Sequence, residues 1–226
     1  MSYKAVVFDL DGTVLDTAEG LAVAVNAARK ECGYRDLPLE TLISMAGNGA
    51  RRLIARSIAY DRADGTSAED IIDSEETQIL LNKFRTIYLD ICVEYTKPYQ
   101  GIIALIKELR DAGLKLAVLS NKDHDATYKL CDFFFHDMLD DIRGHKDGVK
   151  HKPDPEPVLK TLDKLGVTPS ECVLVGDSEV DIMTARNVGA DIISVDWGFK
   201  SHDFLLISDA NVIVSSVKDL EEHLLI

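Results

Sequence analysis

Two aspartates two residues apart, Asp9 and Asp11, follow a short apolar run, Lys4-Ala5-Val6-Val7-Phe8, and lead through Leu10 into Gly12-Thr13. Crowding two carboxylates near a core strand is unfavourable unless a cation or a shared proton compensates. The pair therefore points to a metal site or an acid/base couple; its plain alternative is an acidic turn with Thr13 or Asp16 capping the next helix. Further polar groups follow other apolar runs: Ser120-Asn121-Lys122 after Leu114–Leu119, and Gly176-Asp177-Ser178 with Asp181 after Cys172–Val175. Lys152 stands just ahead of a helix opened by Pro153 and Pro155. Taken singly, Ser120 reads as a helix cap, Lys152 as a solvated lysine, Asp177 as a turn residue and Asp181 as a surface charge.

The elements around these residues give them a common place. The first strand predicts a buried parallel β-strand. From Ala18 to Cys92 the pattern is helical throughout, with breaks at Gly33, Gly47-Asn48-Gly49 and the polar loop from Asp61 to Ser67. After Pro98-Tyr99-Gln100-Gly101 helices alternate with strands: helix Ile102–Ala112, strand Leu114–Leu119, helix Asp125–Cys131, strand Asp137–Arg143, helix Asp154–Leu165 and strand Cys172–Val175. Helix Glu179–Val188, strands Asp191–Val195 and Asn211–Val214, and helix Val217–Leu225 complete the chain. The fold expected is α/β, a Rossmann-like parallel sheet with helices on both faces and an inserted all-helical cap. Residues 1–15 and 94–226 would form the core and 16–93 the cap, with bending expected around Asp16-Thr17 and Thr96-Lys97-Pro98. In such a sheet the carboxyl ends of the strands share one edge, where ligand crevices form. Asp9, Ser120 and Asp177 converge there.

Composition narrows the field. The 226 residues are 46% hydrophobic and can bury a full core; the net charge of -14 argues against nonspecific nucleic-acid or anionic-membrane binding. Cys32, Cys92, Cys131 and Cys172 form no Cys-x-x-Cys pair, and the six histidines lack zinc-ligand spacing. No signal peptide or bilayer-length apolar run is evident, so a cytoplasmic protein is expected. No Gly-x-Gly-x-x-Gly follows the first strand, which disfavours a dinucleotide-binding protein.

The motifs together resemble those of haloacid dehalogenase superfamily phosphatases. Phe8-Asp9-Leu10-Asp11-Gly12-Thr13 matches the first motif, Leu119-Ser120-Asn121 the second, Lys152-Pro153-Asp154-Pro155 the third and Gly176-Asp177-Ser178-Glu179-Val180-Asp181 the fourth. The resemblance implies that Asp9 is a nucleophile forming an aspartyl-phosphate, and that Asp11 protonates the leaving oxygen and then activates water. It implies one Mg²⁺ held by Asp9, Asp11 through its carbonyl, and Asp177, with Asp181 orienting a metal-bound water. Ser120, Lys152 and the amides after Asp9 and Ser120, in the Gly12, Thr13 and Asn121 neighbourhood, would bind the phosphoryl oxygens.

Substrate choice is expected in the cap. Gly47, Asn48 and Gly49 lead into a helix N-terminus, an anion site in waiting, and Arg51 or Arg52 would clamp a substrate carboxylate; the plain alternative is a turn followed by a solvated basic face. The loop resembles that of phosphoglycolate phosphatases, as does Val195-Asp196-Trp197-Gly198-Phe199, although Trp197 reads as a core residue. This implies 2-phosphoglycolate as the small phosphate ester hydrolysed, by a monomer or homodimer. A nucleotidase, a pyrophosphatase, a sugar-phosphate phosphatase or a phosphomutase is the alternative. A binding protein with an idle site is disfavoured because no motif residue is missing.

Overall fold

The structure is a computed structural model and describes residues 3–62 and 64–225. It divides into two compact units, Met1–Asp16 with Lys97–Ile226, and Thr17–Thr96. In chain order the α/β unit begins with β1 (Ala5–Phe8) and β2 (Leu15–Asp16). The helical unit holds α1 (Ala18–Glu31), α2 (Leu39–Ser44), α3 (Ala50–Ala59), α4 (Ala68–Ile71) and α5 (Glu75–Ile91). The α/β unit resumes with β3 (Lys97–Pro98), α6 (Ile102–Asp111), β4 (Lys115–Asp123), α7 (His124–Phe135), β5 (Asp141–His145) and α8 (Pro155–Leu165). It closes with β6 (Cys172–Gly176), α9 (Glu179–Val188), β7 (Asp191–Val195), α10 (His202–Ile207), β8 (Ile213–Val214) and α11 (Val217–Leu224).

Six strands form one parallel sheet in the order β5-β4-β1-β6-β7-β8, with helices on both faces. β1 lies centrally, Phe8 in register with Val118 of β4 and Val175 of β6, so Asp9 leaves the sheet between the strands that lead to the second and fourth motifs. All four β1 residues are buried, as a strand covered on both faces requires. On one face Ala5, Val7, Ala117, Leu119, Cys172 and Leu174 pack against Val158, Leu162 and Ala185 of α8 and α9. Each large aliphatic side chain buried there contributes roughly 1.5–3 kcal/mol of transfer free energy. This core is what keeps the strand ends rigid.

Several elements differ from the sequence expectation. β4 runs on through Ser120 to Asp123, with its register against β5 shifting between Leu119 and Asp123. Ser120 is therefore held inside an irregular strand end, where the shift re-aims side chains, and not in the turn beyond it. β5 starts later than the alternation suggested, because Asp137 takes a left-handed φ of 57° that no strand continues. α7 extends past Cys131 to Phe135, and α10 was not foreseen in a short polar-flanked segment. The two-residue strands β2 and β3 pair antiparallel, Leu15 with Pro98 and Asp16 with Lys97. That pairing ties both connections into the α/β unit.

Within the helical unit α5 packs against α1 and α3, and Arg29 of α1 is buried. Its guanidinium donates to the Ser57 and Arg35 carbonyls and pairs with Asp61, so its charge is fully partnered. Among the described residues no helix is long and apolar enough to cross a membrane.

Candidate active site

Asp9 is the first residue past β1, and its amide still donates to Val175 O at 2.8 Å, continuing the sheet by one bond. The chain then folds into a tight turn in which Leu10 O accepts from Val14 N and Leu15 N at 3.2 and 3.0 Å. Gly12 serves this turn with φ 80°, and a Cβ there would stand 2.8 Å from Asp177 Cγ. Only glycine satisfies both conditions without strain. The turn thus brings Asp9 and Asp11 against the end of β6.

Asp9, Asp177 and Asp181 each place a carboxylate oxygen within 4.8 Å of the others. Lys152 bridges two of them, its Nζ 2.8 Å from Asp9 Oδ1 and 2.7 Å from Asp181 Oδ1. Burial lowers the affinity of Lys152 for its proton, but Asp181 and Asp9 outweigh that effect and hold it charged. Burial pushes the Asp9 carboxyl up to about 6; Lys152 opposes the shift, while Asp181 and Asp11 add to it. Asp177 is raised well above the usual carboxylate range by burial first and then by Asp9 and Asp181. The Phe199 amide donates to its Oδ2 at 2.6 Å.

The remaining predicted residues fall as follows. Asp11 is paired with Lys122, whose Nζ lies 2.9 and 3.1 Å from its two oxygens. Ser120 is buried, and its Oγ lies 3.3 Å from the Lys122 amide that donates to it. The Thr13 hydroxyl is buried without a hydrogen-bond partner, while Thr13 O accepts from Trp197 Nε1 at 3.1 Å. Trp197 is thus part of the wall of the turn. The Asn121 side-chain amide donates to Lys152 O at 2.9 Å and holds the lysine's backbone, which leaves the role expected of its main-chain amide untouched. Asp181 was expected to orient a metal-bound water. Its Oδ1 takes Lys152 and its Oδ2 accepts from Ser178 N and Oγ at 3.2 and 2.6 Å, capping α9, while it stays within the acidic cluster of Asp9 and Asp177.

Gly47, Asn48, Gly49, Arg51 and Arg52 belong to the helical unit. Gly49 does precede α3, as the anion-site expectation requires. The arginines are engaged within that unit: Arg51 donates to Gln78 Oε1 at 2.7 Å and Ile72 O at 3.4 Å, and Arg52 Nε lies 3.8 Å from Glu69. Arg51 is thus held within its own unit by two of its five donors.

Sequence reasoning did not assign roles to Lys122, Ser178, Phe199 or Gly198. Lys122 follows Ser120 by two residues, the spacing that keeps two strand side chains on one side, so its signal was present. Phe199 acts through its amide, which carries no residue-type signal. A Cβ at Gly198 would fall inside van der Waals contact of Gly12 O and Asp177, so this loop must be bare where it meets the turn.

Four carboxylates and two ammoniums therefore meet at the carboxyl edge of β1, β4 and β6, leaving an excess of two negative charges. A divalent cation fits that deficit and the oxygen-only donor set. The family model for haloacid dehalogenase-like hydrolase matches residues 6–195. The chain belongs to the haloacid dehalogenase-like hydrolase family. It is 35% identical over 221 residues to phosphoglycolate phosphatase of Nitrosospira multiformis, covering 95% of this chain and 92% of that one. The Aquifex aeolicus phosphoglycolate phosphatase is 32% identical, with 87% and 86% covered. A solved structure from Lactobacillus delbrueckii subsp. bulgaricus superposes with a TM-score of 0.92 at 38% identity, covering 100% of this chain and 99% of that one. This haloacid dehalogenase-like hydrolase is a phosphatase.

Proposed function

We propose that this phosphatase hydrolyses a small phosphomonoester, 2-phosphoglycolate foremost, by way of an aspartyl-phosphate on Asp9 and with Mg²⁺ bound. The observation that carries the chemistry is the placement of Asp9, Asp177 and Lys152 around one point, with Asp11 one turn residue beyond Leu10. Asp9 attacks phosphorus, and the bond to the leaving oxygen breaks as Asp11 delivers a proton to that oxygen. Asp11 then takes a proton from water, whose oxygen attacks the phosphoryl group and releases phosphate and Asp9. Asp9, Asp177 and the Asp11 carbonyl would hold Mg²⁺, which when bound offsets the repulsion between Asp9 and the substrate's phosphate.

Lys152 gives the phosphoryl oxygens a fixed positive charge, and Asp181 together with Asn121 keeps it in place. Ser120 and Thr13 supply hydroxyl donors. Thr13 Oγ1, buried and unpaired, is a donor whose cost is recovered only when an acceptor arrives. The helical unit would act as a cap, bending at the connections that β2 and β3 secure and excluding water while the phosphoryl group transfers.

The substrate rests on the phosphoglycolate phosphatases that match nearly the whole chain. Phosphate release should be measured over a panel of phosphometabolites, with Mg²⁺ and with EDTA. The highest kcat/KM is expected for 2-phosphoglycolate, with activity lost in EDTA. A nucleoside monophosphate or sugar phosphate preferred by tenfold or more would replace the substrate, and undiminished turnover in EDTA would replace the metal.

A further inference from the structure

One buried cation has no part in the reaction as derived above. The Lys122 side chain is 5% exposed, and its ammonium spans both oxygens of Asp11, whose own side chain is 18% exposed. Its backbone is fastened where β4 loses register with β5. The amide donates toward Ser120 Oγ at 3.3 Å, and the carbonyl accepts from the Thr127 hydroxyl at 3.3 Å. Gly144 of β5 packs so closely that a Cβ there would come within 2.7 Å of Lys122 O. The ammonium is therefore delivered to Asp11 from a braced segment.

We propose that Lys122 is a positioning residue for Asp11, holding the carboxyl in the orientation that faces the leaving oxygen. The inference rests on the reading of Asp11 as the acid of the first step. A carboxyl on a turn can rotate about two bonds, and proton transfer requires its oxygen within hydrogen-bond reach of the leaving atom. Lys122 Nζ reaches both carboxyl oxygens, at 2.9 and 3.1 Å, a two-point contact that restricts both rotations. In that step the P–O bond to the leaving group breaks, its electron pair stays on oxygen, and the Asp11 proton follows it. Lys122 itself exchanges nothing. Misplacing an acid by about 1 Å is enough to lose roughly 100-fold in rate.

The test uses aryl phosphates of one shape and different leaving-group pKa, from p-nitrophenyl phosphate to phenyl phosphate, whose phenol has a pKa of about 10. The quantity is kcat/KM, which covers steps through departure of the first product. In the unaltered enzyme the acid flattens the dependence on leaving group. Lys122→Met is expected to lose at least about tenfold more on phenyl phosphate than on p-nitrophenyl phosphate. A smaller folded fraction lowers every substrate equally and leaves that ratio unchanged. Lys122→Gln, also neutral, should give the same steepening and serves where the Met variant does not fold. Asp11→Asn separates the two readings. If it steepens the dependence and neither Lys122 variant does, the positioning role is overturned and the acid stands; if Asp11→Asn leaves the dependence flat, Asp11 is not the acid and both readings fall.

Discussion

Lys152 holds Asp9 at 2.8 Å while its other carboxylate partner anchors it from the start of α9. The pair joins a residue near the N-terminus to one that follows β5, and both side chains are nearly buried. Lys152→Met leaves carboxylates without their counter-charge, which for a buried pair costs about 3–5 kcal/mol. Loss of at least about 100-fold in kcat accompanies it, because the charge facing the phosphoryl oxygens is gone. Chemical denaturation and steady-state kinetics on the one variant check both effects.

Asp9→Asn should abolish nearly all turnover while the protein remains folded, since the amide preserves shape and removes the nucleophile. Circular dichroism and phosphate release measured together decide this. Substantial residual activity would remove Asp9 from its assigned role.

The share of metal-free stability that Asp9 and Asp177 contribute should fall as pH rises. The Asp9 carboxyl shifts from 3.8 to about 6 on folding, and Asp177 moves in the same direction, so the folded state holds protons the unfolded chain releases. Their contribution is full below pH 3.8 and, for Asp9, is lost by about pH 6. Mg²⁺ favours the ionised carboxylates and should remove this slope. Thermal melts from pH 4 to 7 in EDTA and in Mg²⁺ make the comparison, and identical slopes would refute a shared cation site.

Gly198→Ala should weaken metal binding before it abolishes folding. The new Cβ meets Gly12 O and Asp177, and overpacking of this kind costs about 1–3 kcal/mol. The Mg²⁺ concentration giving half-maximal activity is expected to rise at least about tenfold, the equivalent of ~1.4 kcal/mol. Calorimetric Mg²⁺ titration gives the same quantity without turnover.

The two arginines at the start of α3 should part company. Arg51 donates to Gln78 and Ile72, so Arg51→Ala is expected to lower stability by about 1 kcal/mol through lost hydrogen bonds. Arg52 is more loosely held, 3.8 Å from Glu69, and Arg52→Ala should cost no more than about 0.5 kcal/mol. If either clamps a substrate carboxylate, it is Arg52, whose removal then raises KM for 2-phosphoglycolate and leaves that for p-nitrophenyl phosphate unchanged. Equal rises on both substrates would dismiss the clamp.

What the amino-acid order determined by itself was local: the buried strand before Asp9, the helical run after Thr17, and the placing of Asp9 and Asp177 just past parallel strands. These depend on periodicity, caps and turn residues only a few positions apart, so they are written in short windows. Partner choice was not. That the Asn121 side chain braces Lys152 is visible only from its approach to Lys152 O. Lys122 pairs with Asp11 across 111 residues of chain, and Phe199 reaches Asp177 because Gly198 lets the loop after β7 touch the Gly12 turn. Arg51 turned inward because acceptors from α5 and the segment before it came within reach. Such contacts join residues far apart in the chain, and they are set by register, close backbone approach and the need to neutralise buried charge, quantities that exist only once the sheet has formed.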